Sequence, residues 1–158
     1  MSSPGYTLGW KEHVALPEWG LQLRAKLDTG ARTSALHVRD LQIARADDGS
    51  STASFDVVLG RRSAEEHHPI VAPVVAFRRV RDTGARSETR AVVRTRIVVG
   101  RIDTTADITL TDRSGMNFRM LLGRRTLEGL CAVDPGRGYV AGRPVVAPAI
   151  PANTDGSA

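Results

Sequence analysis

Leu21-Gln22-Leu23-Arg24-Ala25-Lys26-Leu27 alternates apolar and polar residues and runs directly into Asp28-Thr29-Gly30-Ala31-Arg32-Thr33-Ser34-Ala35-Leu36. A period of two is the mark of a half-buried strand, with the leucines and Ala25 on one face and Gln22, Arg24 and Lys26 on the other. The strand delivers an acid, a hydroxyl and a glycine in succession. Gly30 lets the backbone turn where a side chain would clash. The Thr29 hydroxyl is expected to bond backbone groups and hold the turn. Asp28 is then fixed at the strand end. One fixed carboxylate does little acid–base work alone, but two facing each other share a proton, so that one serves as acid and the other as base.

Asp28-Thr29-Gly30-Ala31 resembles the active-site turn of the retropepsin-like aspartic proteases. Downstream, Met120-Leu121-Leu122-Gly123-Arg124-Arg125-Thr126-Leu127, followed by Leu130-Cys131-Ala132-Val133, is similar to the segment that closes the retropepsin core and opens its short C-terminal helix. Three further runs sharpen the likeness: Gly9-Trp10-Lys11-Glu12, Thr33-Ser34-Ala35-Leu36, and Leu110-Thr111-Asp112-Arg113-Ser114-Gly115-Met116. They resemble a bacterial branch labelled RimB, or "ATP-dependent zinc protease". The resemblance spans residues 8 to 145. It implies a catalytic Asp28-Thr29-Gly30 and a substrate-binding role for Ala31, Arg32 and Arg124.

The chain has 158 residues, one domain's worth, and is long enough to bury a core without staples. Its single cysteine, Cys131, excludes an intrachain disulfide and fits a reducing compartment. Met1-Ser2-Ser3-Pro4-Gly5 carries neither an apolar run nor a basic lead, so no secretory signal is expected. No apolar stretch approaches the ~20 residues that span a bilayer. A cytoplasmic protein with no membrane association is the expectation. The formal net charge of +5 favours acidic partners, although arginine decorating a strand-rich surface explains it as well.

Taken in order, residues 1–7 are expected to be a flexible N-terminus, 8–147 the domain, and 148–158 a flexible tail. Leu8 to Leu16 predicts a first strand and Pro17-Glu18-Trp19-Gly20 the turn into the strand ending at Asp28. Thr33 to Val38, Leu41 to Ala46, Ser54 to Leu59, Ile70 to Phe77, Thr89 to Val99 and the Ile108–Leu110 region read as further strands. Asp47 to Ser51 is a turn, and Gly60 to Glu66 a polar loop. Pro73 predicts an edge or a break in its strand. Arg124 to Leu130 predicts one short helix. Short strands with regular turn signals argue for an all-β barrel. The resemblance makes it a closed six-stranded retropepsin-like barrel with one short C-terminal helix, and a flap around residues 45 to 60.

The pentapeptide recurs at Asp82-Thr83-Gly84-Ala85-Arg86. Arg78-Arg79-Val80-Arg81 leads into this copy and Ser87-Glu88-Thr89-Arg90 leaves it, so neither flank can enter a core. It reads as a hairpin turn. A second catalytic carboxylate must then come from a second subunit, as it does in the homodimeric retropepsins. Those enzymes often carry an acid after Asp-Thr-Gly-Ala, paired with the arginine of the Gly-Arg segment. Arg32 stands there in this chain, so Arg32 and Arg124 both need other anions, either a buried acid elsewhere in the chain or the substrate. RimB-type proteins are associated with ligases that add glutamates to a ribosomal protein, which implies an acidic or polyglutamate-modified substrate.

No cofactor and no metal is expected. The chain has no His-Glu-x-x-His, no paired cysteines and no Walker-type loop. Glu65-Glu66-His67-His68, the one dense group of possible ligands, reads as a solvated loop. His13, His37, Cys131, Trp10 and Trp19 read as structural. Two other functions fit the composition: a non-catalytic peptide-binding barrel, and a basic nucleic-acid-binding β-barrel. Only 4% of the residues are aromatic, which leaves few stacking platforms and disfavours nucleic acid.

Overall fold

The structure, a computed structural model, describes residues 5–81, 87–112 and 117–144. The chain runs β1 (Thr7–Gly9), β2 (Lys11–Leu16), a 3-10 turn (Pro17–Trp19), β3 (Leu21–Leu27), β4 (Ser34–His37) and β5 (Arg39–Arg45). It continues through β6 (Ser51–Arg61), β7 (Ala64–Arg81), β8 (Ser87–Val99) and β9 (Ile102–Thr111). The described part ends with β10 (Met120–Leu122), α1 (Arg124–Leu127) and β11 (Ala132–Asp134).

Six strands form a ring in the order β2-β3-β10-β4-β9-β8, closed where Ala15 of β2 stands opposite Val98 of β8. Alternation makes the ring possible, because each strand turns one face inward. Leu21, Leu23, Ala25 and Leu27 of β3 are buried while Gln22, Arg24 and Lys26 are exposed. Leu16, Leu36, Ile97, Ile108, Leu110, Met120 and Leu122 fill the interior with essentially no exposed surface. Each such side chain contributes about 1.5–3 kcal/mol by leaving water. On the outside of β8, Arg94 pairs with Asp107 and Arg96 with Asp103 across to β9.

The strand β10 lies between the two strands that flank the Asp28 turn. It runs parallel to β3, with Leu122 opposite Leu27, and antiparallel to β4, with Met120 opposite Leu36. The chain therefore leaves β3, turns at residues 28–33, and returns as β4 on the far side of β10. This threading positions the candidate site.

Several sequence expectations change. The strand expected from Leu8 to Leu16 is two strands broken at Trp10. There the amide donates to the Arg137 carbonyl while the carbonyl accepts from Leu27, so the residue serves two different neighbours. Gly60 to Glu66 is not a loop. Ala64 pairs with Arg61, so the connection is a tight turn at Arg62-Ser63 and Glu65-Glu66-His67-His68 lies on β7. Pro73 has a strand partner on one side only, Thr52 of β6, as expected of an edge position, and a register shift follows at Val74–Ala76. It stands where continuous β7 passes from pairing with β6 to pairing with β8. Residues 45 to 60 form the turn and outgoing arm of the β5–β6 hairpin. The helix stops at Leu127. One turn is too short to persist alone and is held by packing of buried Thr126 and Leu127. Ala132–Asp134, unassigned from sequence, pairs in parallel with β1.

Strands β7 and β8 face each other with Arg81 opposite Ser87. The pentapeptide between them, Asp82 to Arg86, lies outside the described residues, as do Arg113 to Met116 and the 148–158 tail.

Candidate active site

The turn at Asp28 is built almost wholly from backbone. The Asp28 amide donates to the Leu122 carbonyl at 2.9 Å, extending the β3–β10 ladder by one residue. One carboxylate oxygen, Oδ1, accepts from the Gly30 amide at 2.9 Å, and the Ala31 amide returns to the Asp28 carbonyl at 3.1 Å. Asp28 thus closes its own turn. A side chain at Gly30 would bring its Cβ to 3.1 Å from Oδ1, so the absence of one lets the carboxylate lie over the turn. Oδ2 points toward the Lys26 ammonium, 4.0 Å away. The Asp28 side chain is 31% exposed, so solvent and a ligand reach it.

The start of α1 locks this turn from below. Arg124 donates its amide to the Ala31 carbonyl at 2.8 Å, and Arg125 to the Arg32 carbonyl at 3.0 Å. The Arg124 guanidinium donates Nη1 to the Thr29 and Gly30 carbonyls at 3.0 and 3.3 Å. Free N–H groups at a helix start need acceptors, and the turn supplies them. Gly123 permits the approach: a Cβ there would lie 2.5 Å from the Thr33 carbonyl oxygen. Behind it, the Ser34 and Thr126 hydroxyls share a buried hydrogen bond of 2.6 Å, and the Gly123 amide donates to Ser34 Oγ at 3.1 Å.

The fold therefore gathers Asp28, Thr29, Gly30, Ala31 and Arg124. Arg124 finds stacked carbonyls rather than the acid that its charge suggested. Arg32 is exposed and, among the described residues, its guanidinium makes no hydrogen bond or ion pair. The Thr29 hydroxyl also makes no hydrogen bond among the described residues, so the Asp28 carboxylate, not Thr29, holds the turn.

Sequence reasoning missed Glu12. It is fully buried and accepts three backbone N–H bonds: from Gly9 at 2.7 Å, Val140 at 3.0 Å and Ala141 at 3.1 Å. It fastens the C-terminal segment to the β1–β2 corner. The signal was present: Glu12 shares the inward face of β2 with Val14 and Leu16, where an acid needs partners. Glu65 to His68 carries a network of charges on strands rather than a solvated loop. Glu65 pairs with Arg39 at 3.2 Å and Arg119 at 3.6 Å, and His67 meets Asp56 at 3.4 Å.

Comparison with known proteins agrees with this geometry. A crystal structure of a Legionella pneumophila protein of unknown function superposes with a TM-score of 0.69 at 25% identity, over 87% of this chain and 98% of that one. A probable alpha-L-glutamate ligase of Parasynechococcus marenigrum is 35% identical over 133 residues, 81% of this chain but only 28% of that protein. A second, from Shewanella pealeana, is 30% identical over 143 residues, 90% of this chain and 31% of its own length. The chain thus spans under a third of these curated relatives. A family profile, "RimB-like: retropepsin-like aspartic endopeptidase RimB", matches residues 7–144, and with its Asp-Thr-Gly turn, threaded β10 and six-stranded ring this chain belongs to that family.

Proposed function

We propose that this protein is an aspartic peptidase that acts on acidic, glutamate-tailed protein substrates, with a catalytic pair formed by Asp28 from each of two subunits. The observation that carries the reading is the Asp28 carboxylate. It is held at a strand end by a turn that α1 locks, yet stays open to solvent and uses one oxygen on its own turn. Among the described residues, no second acid of the same chain bonds to it. Two copies brought face to face hold one proton between them. The ionised carboxylate takes a proton from a bridging water, and the protonated one donates to the scissile carbonyl as the water adds. The tetrahedral intermediate collapses with proton transfer to the leaving amine. The scheme calls on no metal and no nucleotide.

Ala31 and the exposed Arg32 follow the carboxylate in the turn, and in this proposal they meet substrate, while Arg124 holds the turn in shape. The β5–β6 hairpin is the element available to cover a bound peptide. Retropepsin dimers interleave their terminal strands, whereas β1 and β11 pair here within one chain under the Glu12 clamp. The two subunits therefore meet through other surfaces.

The substrate assignment draws on the relatives. In them the matched segment is under a third of a chain named for adding glutamate. A domain joined to a glutamate-adding enzyme is well placed to act on glutamyl chains, and the net charge of +5 suits them. Incubating wild type and Asp28→Asn with a glutamate-tailed peptide, and reading products by mass, tests the proposal. Cleavage by wild type alone, from a dimer in solution, supports it. Equal cleavage by both proteins, or none by either across acidic and neutral pH, leaves a peptide-binding barrel as the better account.

A further inference from the structure

Leading away from Asp28 along the outer face of β3, every exposed position is polar: Lys26, then Arg24, then Gln22. A trough of about 270 Å³ begins beside Lys26 and is walled by Trp10, Phe118 and Leu121. Trp10 and Phe118 meet edge to face at 5.8 Å, which gives the trough a rigid apolar side. Asn117 and Phe118 line this trough and also a second cavity of about 350 Å³ further along the same wall, so the two hollows adjoin. Four arginines converge on that second cavity: Arg24 from β3, Arg61 from the tip of the β6–β7 hairpin, Arg119 ahead of β10, and Arg143 from the C-terminal segment.

Among the described residues only Arg119 of the four has an acidic partner, Glu65 at 3.6 Å. His13, which also lines the cavity, registers the surplus. Its imidazole is held below the ordinary value first by burial and then by Arg143 and Arg24, with Glu12 opposing. Such a concentration of like charge in a concave site is costly unless an anion joins it. Arg24 stands four residues from Asp28 on the same face of one strand, about 13 Å at about 3.3 Å per residue. An extended peptide lying along the wall has the same rise.

We propose that the four-arginine cavity is an anion-binding subsite that grips the side-chain carboxylates of an acidic substrate about four residues from the bond presented to Asp28. This rests on the peptidase reading for its purpose, though not for its existence. Guanidinium groups bind carboxylates through paired hydrogen bonds, and side-chain carboxylates on an extended chain fit a cavity of this size. Nucleic acid fits less well: the adjoining trough offers an aromatic edge-to-face pair rather than an open stacking platform. The subsite makes the enzyme a ruler. Tails too short to reach it bind weakly, and cleavage stops once the remaining acidic tail falls below that length.

The test separates binding from cleavage. Asp28→Asn protein, which holds peptide without turnover, is titrated with hexaglutamate by calorimetry at fixed ionic strength. It is compared with the same protein carrying Arg24→Gln, Arg61→Gln and Arg143→Gln. Three exposed arginines elsewhere, Arg45, Arg79 and Arg137, are changed to glutamine in a charge-matched control. Loss of these cavity charges is expected to weaken binding about tenfold or more, and the control by about twofold or less, with unchanged melting temperatures. Equal weakening in both proteins overturns the subsite, as does no binding by the Asp28→Asn parent, or displacement of hexaglutamate by an oligonucleotide of equal charge at lower concentration. Should hexaglutamate bind through the arginines while wild type cleaves nothing, the subsite stands and the peptidase reading falls. Should wild type cleave while the cavity variant cleaves with unchanged KM, the reverse holds.

Discussion

Two carboxylates within one fold show opposite ways of using an acid. Glu12 is fully buried, and its two oxygens accept three backbone N–H bonds from chain segments far apart in sequence. Asp28 is 31% exposed and accepts one N–H bond, from its own turn. The first acid is saturated and has nothing left to offer a substrate. The second is anchored by one oxygen and open at the other. Burial with full hydrogen bonding marks structure, while anchoring with spare valence marks chemistry. Both sit in β-strand frames a few residues from a glycine, so position alone does not separate them.

The sharpest way to break the contrast is to delete the saturated acid. Glu12→Ala leaves three amide donors facing a void and is expected to cost about 3–5 kcal/mol, a large share of the stability of a domain this size. Chemical denaturation reads the loss. Glu12→Gln keeps the shape but turns an N–H₂ toward an N–H, and should recover only part of it. If Glu12→Ala melts like wild type, the bonds from Gly9, Val140 and Ala141 do not fasten that segment to the β1–β2 corner.

Asp28→Asn is the reverse case. On the proposed peptidase reading, cleavage is expected to fall by about 10²–10⁴-fold, the range for losing a positioned acid or base, while the denaturation midpoint barely moves. The amide oxygen can still accept from Gly30, so the turn survives. A variant that lost activity and stability together would place Asp28 in the same class as Glu12.

Gly123→Ala tests the frame between them. Its Cβ would lie 2.5 Å from the Thr33 carbonyl oxygen and 2.8 Å from the Thr33 amide nitrogen, both backbone atoms that cannot swing aside. Separating β10 from the turn should cost about 1–3 kcal/mol and slow cleavage, because Arg124 then no longer reaches the Thr29 and Gly30 carbonyls together. Gly136, whose nearest contact for an added Cβ is a side-chain oxygen at 3.4 Å, is the control.

Legibility in the sequence follows from how local each feature is. Strand β3 and its turn were readable because alternation and Asp-Thr-Gly are contiguous. The strand from Thr89 to Val99 was readable for the same reason. The break at Trp10 was hidden, since it comes from Trp10 bonding Arg137 on one side and Leu27 on the other. The pairing of β1 with β11 and two of the three donors of Glu12 join residues more than a hundred positions apart, beyond any periodicity. The strand at Glu65 to His68 was lost because its polar composition suggested a loop. Its partner Val57–Gly60 supplies the apolar side through Val57, Val58 and Leu59, and cross-strand charges satisfy the rest.

His37 offers a third kind of group and the smallest effect. It is buried, and its Nδ1 has no hydrogen-bond partner among the described residues. Burial lowers its pKa first, then Arg119, with Arg39 adding to the fall and Asp112 and Glu65 opposing it. The folded imidazole therefore stays neutral where the unfolded one takes a proton. Below the ordinary value of 6.5 the unfolded chain binds more protons, so stability drops as the pH falls and levels off once the folded form also protonates. Above 6.5 this contribution is flat. His13 is lowered in the same direction and adds to the slope. In melting curves taken across this range, His37→Gln should flatten the acid-side decline without shifting the midpoint at neutral pH by more than a degree or two. A decline unchanged in both His37→Gln and His13→Gln would assign the acid sensitivity to carboxylates instead.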